Sequence, residues 1–131
     1  MARTPHAWPR VTRLKRRRLI RPLFAHGGIQ SGISIGSVRL LFRTVPRHLT
    51  GSPVQVGFAV TRQRTAVRRN AIRRVLREAF RTSPQRAMLC MPSDQALTLM
   101  VLCHGNSATT KAMLRADLAQ ALDILVRRLT A

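Results

Sequence analysis

The clearest apolar period in the chain lies within residues 66–81, where Ile72, Val75, Leu76, Ala79 and Phe80 recur at i, i+3, i+4, i+7 and i+8. At about 100° per residue they share one stripe, so the segment predicts an amphipathic α-helix, with Thr65 as its N-cap. Just upstream, residues 54–61 alternate: Val54, Val56, Phe58 and Val60 point one way, and Gln55, Gly57, Ala59 and Thr61 the other. That period predicts a strand with one core face, whose small and polar opposite face lets another surface come close. Residues 37–43 alternate in part, with Val38, Leu40 and Phe42 on one side, and predict a second strand with a single core face.

Residues 97–104 are apolar on both faces, the pattern of a central strand covered from both sides. Thr109 or Thr110 then caps a closing helix whose Leu114, Leu118, Ala121, Leu122, Leu125 and Leu129 form a core stripe. At the other end, Leu14, Ile20, Leu23 and Phe24 predict a short amphipathic helix that must kink or restart at Pro22, because proline removes a helix hydrogen bond. Gly27, Gly28 and Gly32 mark a loop after it. Pro46, Gly51 and Pro53 punctuate a connection of about ten residues expected to lie in solvent. Residues 82–95, with Pro84 and Pro92, read as a further loop. The order helix, strands, helix, strand, helix implies one α+β domain over residues 1–131, with 1–10 as a flexible basic tail, and by default a right-handed strand-helix-strand crossover.

Charge narrows the partners. The 131 residues hold 24 Lys and Arg against four Asp and Glu, a formal charge of +20, with no acid before Glu78. A compact domain with that charge repels itself unless a polyanion screens it, which points to nucleic acid. With 45% hydrophobic residues the chain has enough for a core, so it is not a disordered basic tail. Apolar runs such as 99–103 fall far short of the roughly 20 residues that cross a bilayer, and no membrane partner is expected. Cys90 and Cys103 lack C-x-x-C spacing and read as reduced, buried residues of a cytoplasmic protein. The acid-free N-terminal stretch, with Arg3, Arg10, Arg13, Lys15, Arg16, Arg17, Arg18 and Arg21, has the composition of a transit peptide, but its apolar set assigns part of it to the domain.

On the helix predicted over 66–81, Asn70, Arg73, Arg74, Arg77 and Arg81 fall opposite the apolar stripe. Arg69/Arg73, Arg73/Arg77 and Arg77/Arg81 are like-charge neighbours, each pair costing roughly a few tenths of a kcal/mol. Glu78 relieves only near neighbours such as Arg74 or Arg81. Arg62 and Arg64 precede the helix, and Arg68 and Arg69 lie in its first turn, nearer the apolar side. Such a ridge makes sense opposite phosphate. Guanidinium forks grip phosphate oxygens in pairs and stack on exposed bases, which favours structured or single-stranded RNA.

The string VGFAVTRQRTAVRRNAIRRVLREAFR, residues 56–81, resembles the signature of the bacterial ribonuclease P protein family, approximately V-G-[FL]-[ST]-V-[ST]-K-K-x-G-x-A-V-x-R-N-R-[IL]-[KR]-R-x-[LI]-R-[EQ]-A-F. Arg13-Leu14-Lys15 followed by Phe24 and Gly27 resembles the family's opening R-L-K helix, residues 97–103 its D-[YF]-V-V-I-A strand, and 114–129 its closing helix. The resemblance implies a mixed sheet of about four strands in the order αβββαβα, a ribosomal protein S5 domain 2-like arrangement with a left-handed βαβ crossover. It implies RNA contacts at Arg69, Asn70, Arg73, Arg74 and Arg77 and at Arg62, and a cleft for a single-stranded 5′ leader, with Ile20, Phe24 and Phe58 as its lining. The sequence departs from the pattern at Ala71, where the second arginine of R-N-R belongs, and at Gln63. The loop is one residue shorter and lacks its glycine, and Ile20 stands where a phenylalanine is common. Arg64 and Arg68 are extra cations that offset Ala71 and join the candidate RNA-binding set.

A nuclease site of the chain's own would need converging carboxylates about metal ions, and four acids spread from Glu78 through Asp94 and Asp117 to Asp123 do not promise one. His6, His26, His48 and His104 show no ligand spacing. The expectation is a protein subunit that binds ribonuclease P RNA and the 5′ leader of precursor tRNA while the RNA does the chemistry with Mg2+. No cofactor on the protein alone and no obligate protein partner are expected. Two other classes stay open: a structural RNA-binding protein of ribosomal type, and a nucleoid-like DNA binder.

Overall fold

In chain order the elements are α1 (Arg17–Phe24), β1 (Ile33–Ile35), β2 (Val38–Pro46), β3 (Val54–Val60), α2 (Ala66–Arg81), β4 (Gln95–Cys103) and α3 (Lys111–Thr130). They come from a computed structural model that describes residues 13–24, 32–61, 65–89, 91–104 and 109–130. The strands form one mixed sheet in the order β1-β2-β4-β3, antiparallel across β1, β2 and β4 and parallel between β4 and β3. This is the single α+β domain, with the element order αβββαβα, that the sequence implies.

Strand β4 is the spine because both of its faces are apolar. Leu97, Leu99, Val101 and Cys103 meet Ile72, Leu76 and Phe80 of α2 and Leu114, Leu118, Leu122 and Leu125 of α3 in the main core. Met100 and Leu102 on the other face join Leu41 of β2 under Leu19 and Leu23 of α1 and under Leu14. Each such side chain fully buried contributes about 1.5–3 kcal/mol, so α2 and α3 are held mainly by their stripes. Their first turns are capped as the hydroxyl positions suggest. Thr65 Oγ1 accepts from Arg68 N at 3.2 Å, and Thr110 Oγ1 accepts from Met113 N at 3.1 Å.

Several sequence expectations change in the folded chain. Helix α1 begins at Arg17, so Leu14 lies outside it, and it neither stops nor restarts at Pro22, which sits inside its last turn. Strand β2 runs to Pro46 and has two covered faces, since Leu41 packs beneath α1 while Val38 and Leu40 face α3. Strand β1 has three residues, too few for a period to show. The connection after β2 is not solvated throughout. It turns through a 3-10 turn at Arg47–Leu49, and Thr50 and Ser52 are buried, with Thr50 Oγ1 donating to Ser52 O at 2.7 Å. Arg47 ties this connection to the start of β4, donating from Nε to Gln95 O at 2.8 Å and from Nη2 to Pro92 O at 3.1 Å. Residues 82–95 hold a 3-10 turn at Pro84–Met88, and Gln95 already belongs to β4. The basic tail expected at 1–10 lies outside the described residues.

Candidate nucleic-acid interface

Strand β3 ends the sheet, and its outer edge is met by residues 13–15. Arg13 forms a parallel bridge with Val56, and Leu14 N donates to Val56 O at 3.0 Å while the Leu14 side chain is buried. This approach needs Gly57. A Cβ there would lie 2.9 Å from Met100 Cε, 3.1 Å from Met100 Sδ and 3.3 Å from the Leu14 carbonyl oxygen. The small face of β3 therefore admits a close surface, and that surface is the chain's own N-terminal segment.

Between this segment and α2 lies a groove of about 250 Å³. Arg13 and Lys15 stand on one side, Arg73 and Arg77 on the other, and Val56, Gly57 and Phe58 form the floor. Four cations line it and no carboxylate does, among its described lining residues. Like charges gathered around a concave apolar floor raise its positive potential and favour a polyanion.

The α2 ridge is as its helical period implies. Asn70, Arg74 and Arg77 are exposed, and Arg68, Arg69 and Arg73 are half-buried. Asn70 Oδ1 accepts a hydrogen bond from Arg73 Nη1 at 3.2 Å. Glu78 is held by Arg81, whose Nε lies 3.3 Å from Oε1 and whose Nη2 forms a second, closer bond to Oε2. That hydrogen bond raises the Arg81 pKa above its ordinary value. Arg81 thus belongs to a local ion pair, apart from the groove. Arg62 and Arg64 lie outside the described residues.

The three residues expected to line one leader cleft do not come together. Ile20 is half-buried and packs on the cluster beneath α1, and Phe24 at the end of α1 is exposed. Phe58 lies on the opposite sheet face, packed on the main core, its ring edge-on to Phe80 at 6.1 Å and 71°. Strand alternation is the reason: Phe58 shares the core-facing register of Val56 and Val60, whereas Gly57 and Ala59 face α1.

Sequence reasoning passed over Arg13 and Lys15 as groove residues, for no local pattern announces pairing with a strand about 40 residues on. It also passed over Arg39 and Arg43. Their alternation with Val38, Leu40 and Phe42 was a usable signal, because it places them on the α1 side of β2. On that side Arg16, Arg17, Arg18 and Arg21 are exposed, with Arg16 Nη1 donating to Leu49 O at 3.4 Å.

The acids do not converge. Asp117 Oδ2 accepts from Ser37 N at 3.3 Å, Asp123 Oδ1 accepts from Gln85 Nε2 at 2.8 Å, and Asp94 is exposed in the loop before β4. His104 Nδ1 lies 2.8 Å from Thr61 Oγ1, and His48 is exposed. Cys103 is fully buried; Cys90, His6 and His26 lie outside the described residues.

The fold and the acid-free groove define a small, strongly basic α+β protein built to meet a polyanion. A family model described as Ribonuclease P matches residues 8–129. The ribonuclease P protein component of a Synechococcus species is 34% identical over 124 residues, covering 90% of this chain and 86% of that protein. The chain belongs to the ribonuclease P protein family. Its fold is also that of the RNase P protein of Staphylococcus aureus, with a TM-score of 0.61 at 19% identity, covering 87% of this chain and 94% of that one.

Proposed function

We propose that this chain is the RNA-binding subunit of a bacterial, cytoplasmic ribonuclease P, and assists removal of the 5′ leader from precursor tRNA. The observation that carries the reading is the groove at the β3 edge, where Arg73 and Arg77 face Arg13 and Lys15. Phosphate is the complement of that arrangement, because each cation placed on a phosphate releases counterions and ends the mutual repulsion of the groove.

In this reading the arginines of the ridge, Arg69, Arg73, Arg74 and Arg77, with Arg68 and the upstream Arg62 and Arg64, take the ribonuclease P RNA. The α1 side of the sheet takes the leader. There Phe24 offers an exposed ring for a base to stack on, Ile20 an apolar shoulder, and Arg39 and Arg43 cations for the backbone. Phe58 stays in the core and takes no part in the leader site.

The protein's contribution is to bind, orient and screen. Its cations lower the repulsion between two polyanions so that enzyme RNA and substrate approach. Its dispersed carboxylates make a poor cradle for a metal ion, and Mg2+ is assigned to the RNA.

The test is reconstitution. Purified chain is mixed with a bacterial ribonuclease P RNA at low magnesium, and precursor tRNA cleavage is compared with RNA alone. Faster cleavage at the mature 5′ end is expected. Tight RNA binding without any gain in cleavage would favour a structural protein of ribosomal type, and equal binding to duplex DNA would favour a nucleoid-like role.

A further inference from the structure

Within the α2 ridge, Arg73 differs from its neighbours. Arg74 and Arg77 are exposed and, among the described residues, have no hydrogen bond that fixes their guanidinium groups. Arg73 is half-buried on the groove wall, and its Nη1 donates to Asn70 Oδ1 at 3.2 Å. Its Nε is shielded from solvent and has no partner among the described residues. Arginine has only donors, so the contact must use the amide oxygen of Asn70, which defines how that amide is turned. The spacing suits it, since residues three apart are neighbours on a helix surface.

We propose that Asn70 is a positioning residue, one that holds the Arg73 guanidinium at the wall of the β3-edge groove for a phosphate and does not itself contact RNA. This rests on the reading of the groove as an RNA site. A long side chain free in solution must be ordered when it grips a phosphate, and that ordering is subtracted from the affinity. Fixing the head beforehand removes the cost. Asn70 thereby contributes to a charge-dependent contact although it carries no charge.

The experiment measures binding of the full chain to a ribonuclease P RNA over a series of salt concentrations, for the unchanged protein, N70A, R73A and N70A/R73A. Losing one phosphate contact flattens the slope of log affinity against log salt by up to about one unit. R73A is expected to flatten it by this amount. N70A should weaken binding by roughly three- to tenfold, the scale of one hydrogen bond, and leave the slope close to that of the unchanged protein, because Arg73 keeps its charge. The double variant should be no weaker than R73A. Alanine is the better helix former at an exposed position, so N70A stays folded, as a thermal melt checks. The inference is overturned if N70A leaves affinity unchanged, which means Asn70 holds nothing that matters, or if it costs as much in the R73A background as alone, which means Asn70 meets RNA directly. If R73A changes neither affinity nor slope, the inference fails together with the reading of the groove.

Discussion

Asp117 of α3 holds the turn of the β1-β2 hairpin, its Oδ2 accepting from Ser37 N at 3.3 Å. Gly36 beside it has φ +55°, and a Cβ on Gly36 would stand 2.3 Å from the same Oδ2. Register fixes the relationship, because Ile35 pairs with Val38 and leaves Gly36 and Ser37 as the two turn residues. One carboxylate thus ties the far edge of the sheet to the helix that covers it. Gly36→Ala is expected to cost about 1–3 kcal/mol through left-handed strain and displacement of the carboxylate. Its denaturant midpoint should fall accordingly, and an unchanged midpoint would mean that α3 does not hold the turn.

Two arginines should answer differently to the same change. Arg77 lines the groove, so Arg77→Ala should flatten the salt dependence of RNA binding by up to about one unit and leave thermal stability nearly unchanged. Arg47 binds the backbone oxygens of Pro92 and Gln95, so Arg47→Ala should cost roughly 1–2 kcal/mol of stability and leave the salt slope alone. Paired melting and binding measurements on the two variants check this. A reversed pattern would move the interface away from α2.

Ala71 is exposed on α2 and stands where the family pattern has arginine. If Arg68 and Arg64 compensate for it electrostatically, Ala71→Arg should change RNA affinity by no more than about twofold, since added cations in an already saturated field contribute little. Titration with ribonuclease P RNA decides the matter, and a gain of tenfold or more would sink the compensation.

Helix α2 was legible to the residue. Its stripe of Ile72, Val75, Leu76 and Phe80, its Thr65 cap and its cationic face all arise within the segment, and the folded helix spans Ala66–Arg81 as read. The spine β4 was legible because apolar residues on both faces admit one position in a sheet. The N-terminal segment was not. Leu14 reads as a member of the α1 stripe, yet it is buried beside β3 and bonded to Val56, an outcome set by chain that lies far along in sequence. The leader-cleft grouping came from the family resemblance, and the fold separates its members: Ile20 packs in the cluster beneath α1 and Phe58 on the main core, with the sheet between them.

The sequence by itself determined the charge, the order of the elements long enough to show a period, the limits of α2 and the family, because each depends on composition or on residues within a few turns of one another. Only the tertiary structure decided that Arg13 and Lys15 stand opposite Arg73 and Arg77 and that α1 covers the sheet face away from Phe58. Those facts depend on which edge and which face of the sheet each segment meets, and that choice is made by packing between distant parts of the chain.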